Sequence, residues 1–433
     1  MKRQEFFGTD TKRLAGALLV GGFGLMATSA VAQEITVWSG YPELAPFYEH
    51  VAQGMKQKYP NLTVKVQAIP LREHEKRIAL ALPSGSAAEI LEMPGSTAQR
   101  FLEANLLKAA PSDVAEMVKN DATFENYAEA AASYQGKVYA MPLFRGQAAL
   151  FYNTEMFAKA GLSGPPKRME EYTEYAKKLT QRDASGNPTV SGWSLRLTGG
   201  GQGIAEKFWI NLHQFGGELL KQTADGKWIA AYDSPEGRAT LKQYVDNVVT
   251  HKTVTPQMKA DAEAFQLEQT AMFIRESWVI GDIQQKAPNL KYATAPLPKG
   301  SIALVGSLYV TTDGDKGKAA WEFAKATTEP QNQVWLLENV GWLPNRKDVD
   351  YSGVTSKRPG FAAFLQYPKD YTFFTLPSIA PIEEVLTRLA ARLTRGYTDP
   401  ALAKDDAAID AFLADAAKET NAILKRADLL GAK

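Results

Sequence analysis

Four histidines, His50, His74, His213 and His251, could supply a base or a metal ligand, but each stands alone in the sequence. A hydrolytic zinc site needs histidines at helical spacing, and no H-E-x-x-H occurs. Each histidine therefore reads as a surface or partly buried residue. No G-x-S-x-G elbow and no G-x-x-x-x-G-K-[ST] loop is present. The carboxylate pairs Glu170-Glu171 and Glu383-Glu384 fall on helix faces and read as solvated surface, although only the fold sets the spacing that an acid/base pair would need. The chain has no cysteine, which excludes thiol nucleophiles, cysteine zinc sites and a cysteine-linked lipid anchor. No catalytic residue, metal or cofactor is expected.

The polar chemistry that remains is that of binding. Gly199, Gly201 and Gly203 follow a strand-like stretch and precede a helix-like one, as in a phosphate-binding turn. The dinucleotide fingerprint fails, because Glu206 stands where its third glycine belongs. Free N–H groups from Thr198 to Gly203 could still meet oxygen atoms of a ligand. Of the eight tryptophans, Trp321 and Trp335 sit in helical patterns and read as core, and Trp228 lies in a hairpin. Trp38, Trp278 and Trp342 stand at predicted element ends beside Gly, Ser or Pro, where α/β proteins place ligands. A flat indole there suits the C–H face of a pyranose; capping of the core is the competing reading. Arg145, Arg196, Arg275 and Arg346 fall near predicted cleft edges and could hold an acidic group in bidentate fashion. Surface or hinge salt bridges are the plainer reading of the same arginines.

These residues need elements to position them. Residues 35–38 read as a strand, a helix follows Pro42, and residues 63–68 alternate as a second strand. Helix 73–82, strand 88–93 and helix 96–104 follow, an alternation that predicts a mostly parallel sheet covered on both faces. A second block starts near Gln147 with strand 148–152, helix 154–160, helix 169–180, strand 190–197 and helix 204–215. Asp225-Gly226 marks a hairpin turn, Ser234-Pro235-Glu236 starts a helix to about Val249, and residues 271–274 form another strand. Residues 303–312 read as paired strands, 318–327 as a helix, and two helices, 379–395 and 406–425, end the chain.

The 433 residues predict more than one core. Lys2, Arg3, Lys12 and Arg13 precede an uncharged run, Leu14 to Ala32, that closes on Ala30-Val31-Ala32. This is the pattern of a secretory signal peptide, residues 1–32, cleaved after Ala32. The full chain carries +1 formally; the leader holds four basic and two acidic side chains, so the remainder carries −1. A near-neutral surface gives no reason to expect nucleic acid or anionic membrane as a partner. A free, cysteine-less exported monomer in the periplasm is expected.

Stretches along most of the chain then show a resemblance. EITVWSG (34–40), FYNTEMFAKAGL (151–162), EEYTEYAKKLT (170–180), ADGKWIAAYDSPEGRATLKQYVD (224–246), AMFIRESWVIGD (271–282), ATAPLPKG (293–300) and KAAWEFAKATTEPQNQVWLLENVGWLPNR (318–346) resemble, in order and spacing, extracellular solute-binding proteins of ABC importers, family 1, the maltose- and oligosaccharide-binding group. The resemblance implies an α/β, periplasmic-binding-protein type II-like fold: two discontinuous Rossmann-like lobes joined by hinge strands, with a ligand cleft between them. It implies a first lobe of 34–144 plus 300–342 and a second of 145–299 plus 343–433. It implies capture of a carbohydrate by lobe closure, with delivery to the importer's membrane subunits and no chemical step. An exported carbohydrate-active enzyme, or a binding protein for a polyol, phosphate ester or polyamine, is the alternative. Residues matched to binding positions are Trp38, Ser39 and Tyr41 after the first strand, Gly95 and Ser96 after the third, Trp278, Gly306 and Ser307, and Trp342. To these the arginine argument adds Arg145, Arg196 and Arg346, and the glycine run adds Gly201. No carboxylate-rich motif favours a cation, and the arginines make an acidic sugar derivative the narrower reading.

Overall fold

A computed structural model describes residues 33–198, 201–259 and 261–432. The expected signal peptide, and Gly199 and Gly200 of the glycine run, lie outside the described residues.

The first three strands, Gln33–Ser39, Leu62–Ala68 and Ile90–Pro94, are short β-branched runs bounded by Pro60-Asn61 or Pro94-Gly95. The first lies between the other two and pairs parallel with both. Leu304–Val310 then adds antiparallel to Ile90–Pro94, Ala140–Gly146 antiparallel to Leu304–Val310, and Leu343–Pro344 antiparallel to Ala140–Gly146. The expected mostly parallel sheet is thus corrected to a mixed one. Its antiparallel half is built from segments that enter from, or leave for, the rest of the molecule, so no βαβ crossover dictates their direction. A second sheet has Ala148–Asn153 at its centre, antiparallel to Met272–Glu276 and Tyr292–Ala295.

The side chains assemble into separate cores. One joins Ile35 through Phe144 with Val305 through Trp342. A second joins Ala148 through Ile302 with Ile379 through Leu424. A third, smaller cluster gathers Phe151, Phe265, Phe273, Phe361 and Phe364. The chain passes from the first core to the second between Phe144 and Ala148 and returns between Ile302 and Val305. Each of the two larger cores thus draws on two separate stretches of the chain.

Local chemistry sets several of the element ends. Asn153 caps the Thr154–Lys159 helix, its side chain accepting from the N–H groups of Glu155 and Met156. Ser234 caps Pro235–Val245 in the same way through Gly237 N–H. Gly226, at φ +78°, closes the predicted hairpin between Leu220–Gln222 and Trp228–Ala230. Two expectations shift. The helix expected to reach Val249 is α-helical to Val245 and continues as a π-helical turn, Asp246–Thr250. Of the strand expected over 190–197, only Pro188–Val190 pairs as a strand, and Ser191 and Ser194 make single bridges. Gly192 there lies against the Met169–Leu179 helix, where a Cβ would come within 2.0 Å of Ala176 O, so the chain bends onto that helix.

Candidate ligand cleft

The ends of several elements meet where the two lobes face each other. From the first lobe, Tyr41 leaves the Gln33–Ser39 strand and sets its ring edge-on to Phe144 at 5.4 Å and to Trp342 at 5.2 Å. Phe144 and Trp342 are themselves 4.6 Å apart, and Trp342 Nε1 donates to Glu43 Oε1 at 3.2 Å. Such edge-to-face pairs fix ring orientation beyond simple burial. Trp342 is delivered by Gly341, whose φ of +92° only glycine adopts without strain. A Cβ at Gly341 would also lie 3.2 to 3.3 Å from Gly281 N, Ser277 O and Trp278 Cα, so the same turn seats Trp342 beside the start of the Trp278–Lys286 helix. Trp278 in turn lies beneath the Arg275 guanidinium, 5.4 Å from its ring centroid.

The second lobe contributes charge. Lys207, on the Gly203–Phe215 helix, donates to Glu276 at 2.6 Å. Arg275 pairs with Glu276 at 2.9 Å and approaches Asp261 at 3.5 Å, and Arg196 lies 3.9 Å from Asp261. Burial opposes ionisation of Glu276, but Arg275 and Lys207 overcome it and hold its carboxyl well below the usual carboxylate range. Burial likewise opposes the charge of Arg275, and Glu276, Asp261, Glu206 and Glu43 outweigh it. Lys207 is pulled down by burial, with Glu276 as the main counterweight.

The two sides are in electrostatic contact. Arg72 of the Leu71–Ala81 helix pairs with Glu75 at 2.7 Å, and Gly201 opposite leaves only 3.3 Å between its own Cβ position and Arg72 Nε. Glu206 of the second lobe acts on Tyr41, Arg72 and Glu75 of the first. Burial, then Glu92, Glu206, Glu75 and Glu43, push the Tyr41 hydroxyl well above its ordinary value. Charged side chains and aromatic rims of this kind can donate to, accept from and stack on a polyhydroxylated guest. Among the described residues, no group of three or more His, Asp or Glu could hold a metal ion.

Of the residues expected at the site, the structure brings Tyr41, Arg196, Gly201, Trp278 and Trp342 together. Gly95 and Ser96 line a cavity of about 90 Å³ between the lobes with Tyr127, Val305 and Thr375. The others lie elsewhere. Trp38 is buried under the Arg77 guanidinium, 3.6 Å from its ring, because the strand turns it away from the cleft. Ser39 is buried and donates to Glu92 at 2.8 Å. Gly306 and Ser307 sit inside the large sheet at a register shift; Phe144 covers Gly306, and Ser307 is fully buried. Arg145 is buried at the crossing between lobes, where it donates to Pro344 O at 2.8 Å and to Gln147 Oε1 at 3.2 Å. Arg346 pairs with Asp348 at 2.6 Å and donates to Thr328 O at 3.0 Å. The expected absence of a carboxylate-rich cleft is also corrected. Glu43, Glu75, Glu206, Asp261 and Glu276 all converge here, together with the cations Arg72 and Lys207, and none of these was assigned from sequence. One signal was legible: Glu206 and Lys207 form the one charged pair in the largely apolar stretch IAEKFWINL.

Glu92 carries a separate chemistry beneath the cleft. It is fully buried, and it accepts from Tyr48 Oη, from Ser39 Oγ at 2.8 Å and from Gly40 N–H at 3.3 Å. Burial pushes its carboxyl up to about 8 against those donors. A raised value in the folded state means that its contribution is full below the unfolded value, near ~4.3, and is lost as pH climbs through the folded one. Glu92→Gln is therefore expected to flatten the decline of wild-type thermal stability between about pH 5 and pH 9. Thermal denaturation of both proteins across that range checks it, and parallel profiles would refute it.

Two α/β lobes, crossed by hinge segments and facing each other over an aromatic and charged cleft, define a clamp for a small polar solute. The chain belongs to the bacterial extracellular solute-binding proteins, whose family model matches residues 51–363. A Brucella abortus relative, described only as a binding protein, is 24% identical over 94% of this chain and 98% of its own length. The maltotriose-binding protein of Pyrococcus abyssi is 22% identical over 73% of this chain and 67% of its own. The fold is also that of an ABC transporter solute-binding protein from Thermotoga lettingae, solved with α-D-tagatose. That structure has a TM-score of 0.75 at 24% identity and covers 90% of this chain and 100% of its own. Among the described residues, no helix is long and apolar enough to cross a membrane.

Proposed function

We propose that the cleft captures a neutral carbohydrate by closure of the two lobes and hands it, chemically unchanged, to the membrane subunits of an ABC importer. The carrying observation is the state of the cleft cations. Arg72, Arg275 and Lys207 each have a carboxylate partner within 2.9 Å, and Arg196 has one at 3.9 Å. An acidic sugar would have to displace those partners, whereas a neutral hydroxyl can join them, donating to a carboxylate and accepting from a guanidinium. The arginines that suggested an acidic ligand thus favour a neutral one, since two of the four lie away from the cleft and two are paired within it. Tyr41 and Trp278 offer the flat faces that a pyranose stacks on. The sugar named for the Pyrococcus abyssi relative and the one bound in the Thermotoga lettingae structure support the same ligand class.

The lobes are taken as 34–144 plus 300–342 and 145–299 plus 343–433. The core changes between Phe144 and Ala148, while Ile302 still packs in the second core and Leu343–Pro344 still pairs in the first sheet, which moves both later bounds a few residues on. Export to the periplasm by a leader cleaved after Ala32, and action as a monomer, complete the reading.

A thermal-shift screen over neutral oligosaccharides, uronic acids, amino sugars and polyols tests it. At a hundredfold excess over Kd, a true ligand adds about 2.7 kcal/mol of stability, a rise in Tm of several degrees. The expected hit is neutral and is recovered intact by mass spectrometry. A hit among uronic acids alone, or recovery of cleaved products, would overturn the reading.

A further inference from the structure

Among the contacts that join the lobes outside the binding residues, the one at Glu383 engages both oxygens of its carboxylate. Glu383 lies in the first turn of the Ile382–Gly396 helix, which buries Ile382, Leu386 and Leu389 in the core of the second lobe. Its carboxylate accepts from Thr97 Oγ1 at 2.7 Å through Oε1 and pairs with Arg100 Nη1 at 2.9 Å through Oε2. Thr97 and Arg100 belong to the Gly95–Glu103 helix, whose Ala98, Phe101 and Leu102 are part of the core of the first lobe. Both oxygens of one carboxylate from one lobe are thus held by two donors on the other. The three side chains are shielded: the Glu383 and Arg100 side chains are 18% and 34% exposed, and Thr97 is 4% exposed. Arg100 is further fixed by stacking over Phe101 at 4.7 Å. The neighbouring Glu384 takes no part, since it pairs with Arg426 of its own lobe.

We propose that Glu383 is a positioning residue: with Thr97 and Arg100 it forms an interlobe latch that favours the closed arrangement independently of any bound solute. A hinge rotation at 144–148 and 302–305 that opens the cleft moves the Gly95–Glu103 helix away from the Ile382–Gly396 helix and breaks both contacts. Contacts made only when the lobes are shut raise the population of the shut form, and so the apparent affinity for any solute that the shut form prefers. Glu383 acts on the Glu75 carboxylate and so borders the charged cleft. Thr97, Arg100 and Glu383 are not among the side chains proposed to hold the guest, however, so the latch sets how readily the clamp closes rather than what the clamp selects.

The test needs no ligand, so its outcome is separate from the identity of the cargo. The chain has no cysteine, and Lys318 and Asp428 have side chains 81% and 97% exposed on opposite lobes. Lys318→Cys and Asp428→Cys carry a fluorophore pair on the mature chain, and single-molecule energy transfer reads the closed-to-open ratio in buffer alone. Glu383→Ala is expected to lower that ratio about five- to tenfold, and Glu383→Gln, which keeps an acceptor for Thr97, to lower it less. Arg100→Met should have an effect of its own but add nothing on top of Glu383→Ala, because the two act through one contact. Far-ultraviolet circular dichroism and a cooperative thermal transition establish that each variant is folded. An unchanged ratio in Glu383→Ala, a parent protein already fully open, or full additivity of Arg100→Met with Glu383→Ala would overturn the proposal.

Discussion

Glu276→Ala is expected to destabilise the protein by about 3–5 kcal/mol, the cost of leaving one partner of a buried ion pair uncompensated. Lys207 is the reason. Its side chain is 7% exposed, and among the described residues Glu276 at 2.6 Å is the one carboxylate in ion-pair contact with it. Arg275 keeps Asp261 at 3.5 Å and is left less exposed to the loss. At roughly 2–4 °C per kcal/mol for a lobe of this size, the Tm should fall by about 6–20 °C. The same pair predicts a pH profile. The folded-state pKa of Glu276 is depressed, so its contribution is present above the unfolded value near ~4.3 and is lost as pH falls below it. Calorimetry from neutral pH into acid should show the wild type losing its advantage over Glu276→Ala on the way down. Adding Lys207→Met to Glu276→Ala should restore part of the neutral-pH stability, since it removes the orphaned charge. A variant as stable as the wild type at neutral pH would mean that the pair is not buried as described.

The second large effect is on binding. Tyr41→Ala and Trp278→Ala should each weaken the sugar found by screening by about 2 kcal/mol, or roughly thirtyfold, as aromatic anchors at the centre of a contact do. Neither residue is fully buried, so thermal stability should change far less than affinity. Trp342 behaves differently. It is 4% exposed and wedged among Tyr41, Phe144 and the Gly341 turn, so Trp342→Ala should cost stability first and affinity as a consequence. Isothermal titration of the three variants, beside their melting curves, separates the two kinds of aromatic. Unchanged affinity in both Tyr41→Ala and Trp278→Ala would show that the guest sits elsewhere.

The sequence carried much of the fold and a smaller part of the site. Strand and helix periods are local, so Gln33–Ser39, Gly203–Phe215 and Asp406–Arg426 were legible to within two residues. The direction of Leu304–Val310 was not, because it depends on where the chain re-enters the first lobe. Trp278 and Trp342 were singled out from their places at element boundaries next to a turn, whereas Tyr41 was singled out only through the resemblance; the structure sets all three beside the candidate cleft. Trp38 and Ser39 misled because they immediately precede such an end. A strand alternates its faces, and the face that carries Trp38 is covered by Arg77. Arginines were the least legible. Arg145 and Arg196 look alike in sequence, yet one joins backbone carbonyls at the crossing between lobes and the other faces Asp261. What separates them is tertiary pairing over tens to hundreds of residues, which no local pattern records. The same holds for Glu206 and Glu276, whose roles depend on partners from other elements.

A crystal structure of the mature chain with the neutral sugar found by screening tests the central claim most directly. The guest should lie between Tyr41 and Trp278, with hydrogen bonds to side chains of both lobes and its glycosidic linkages whole. Density for the guest on one lobe alone, or outside the space between Tyr41 and Trp278, would contradict the account.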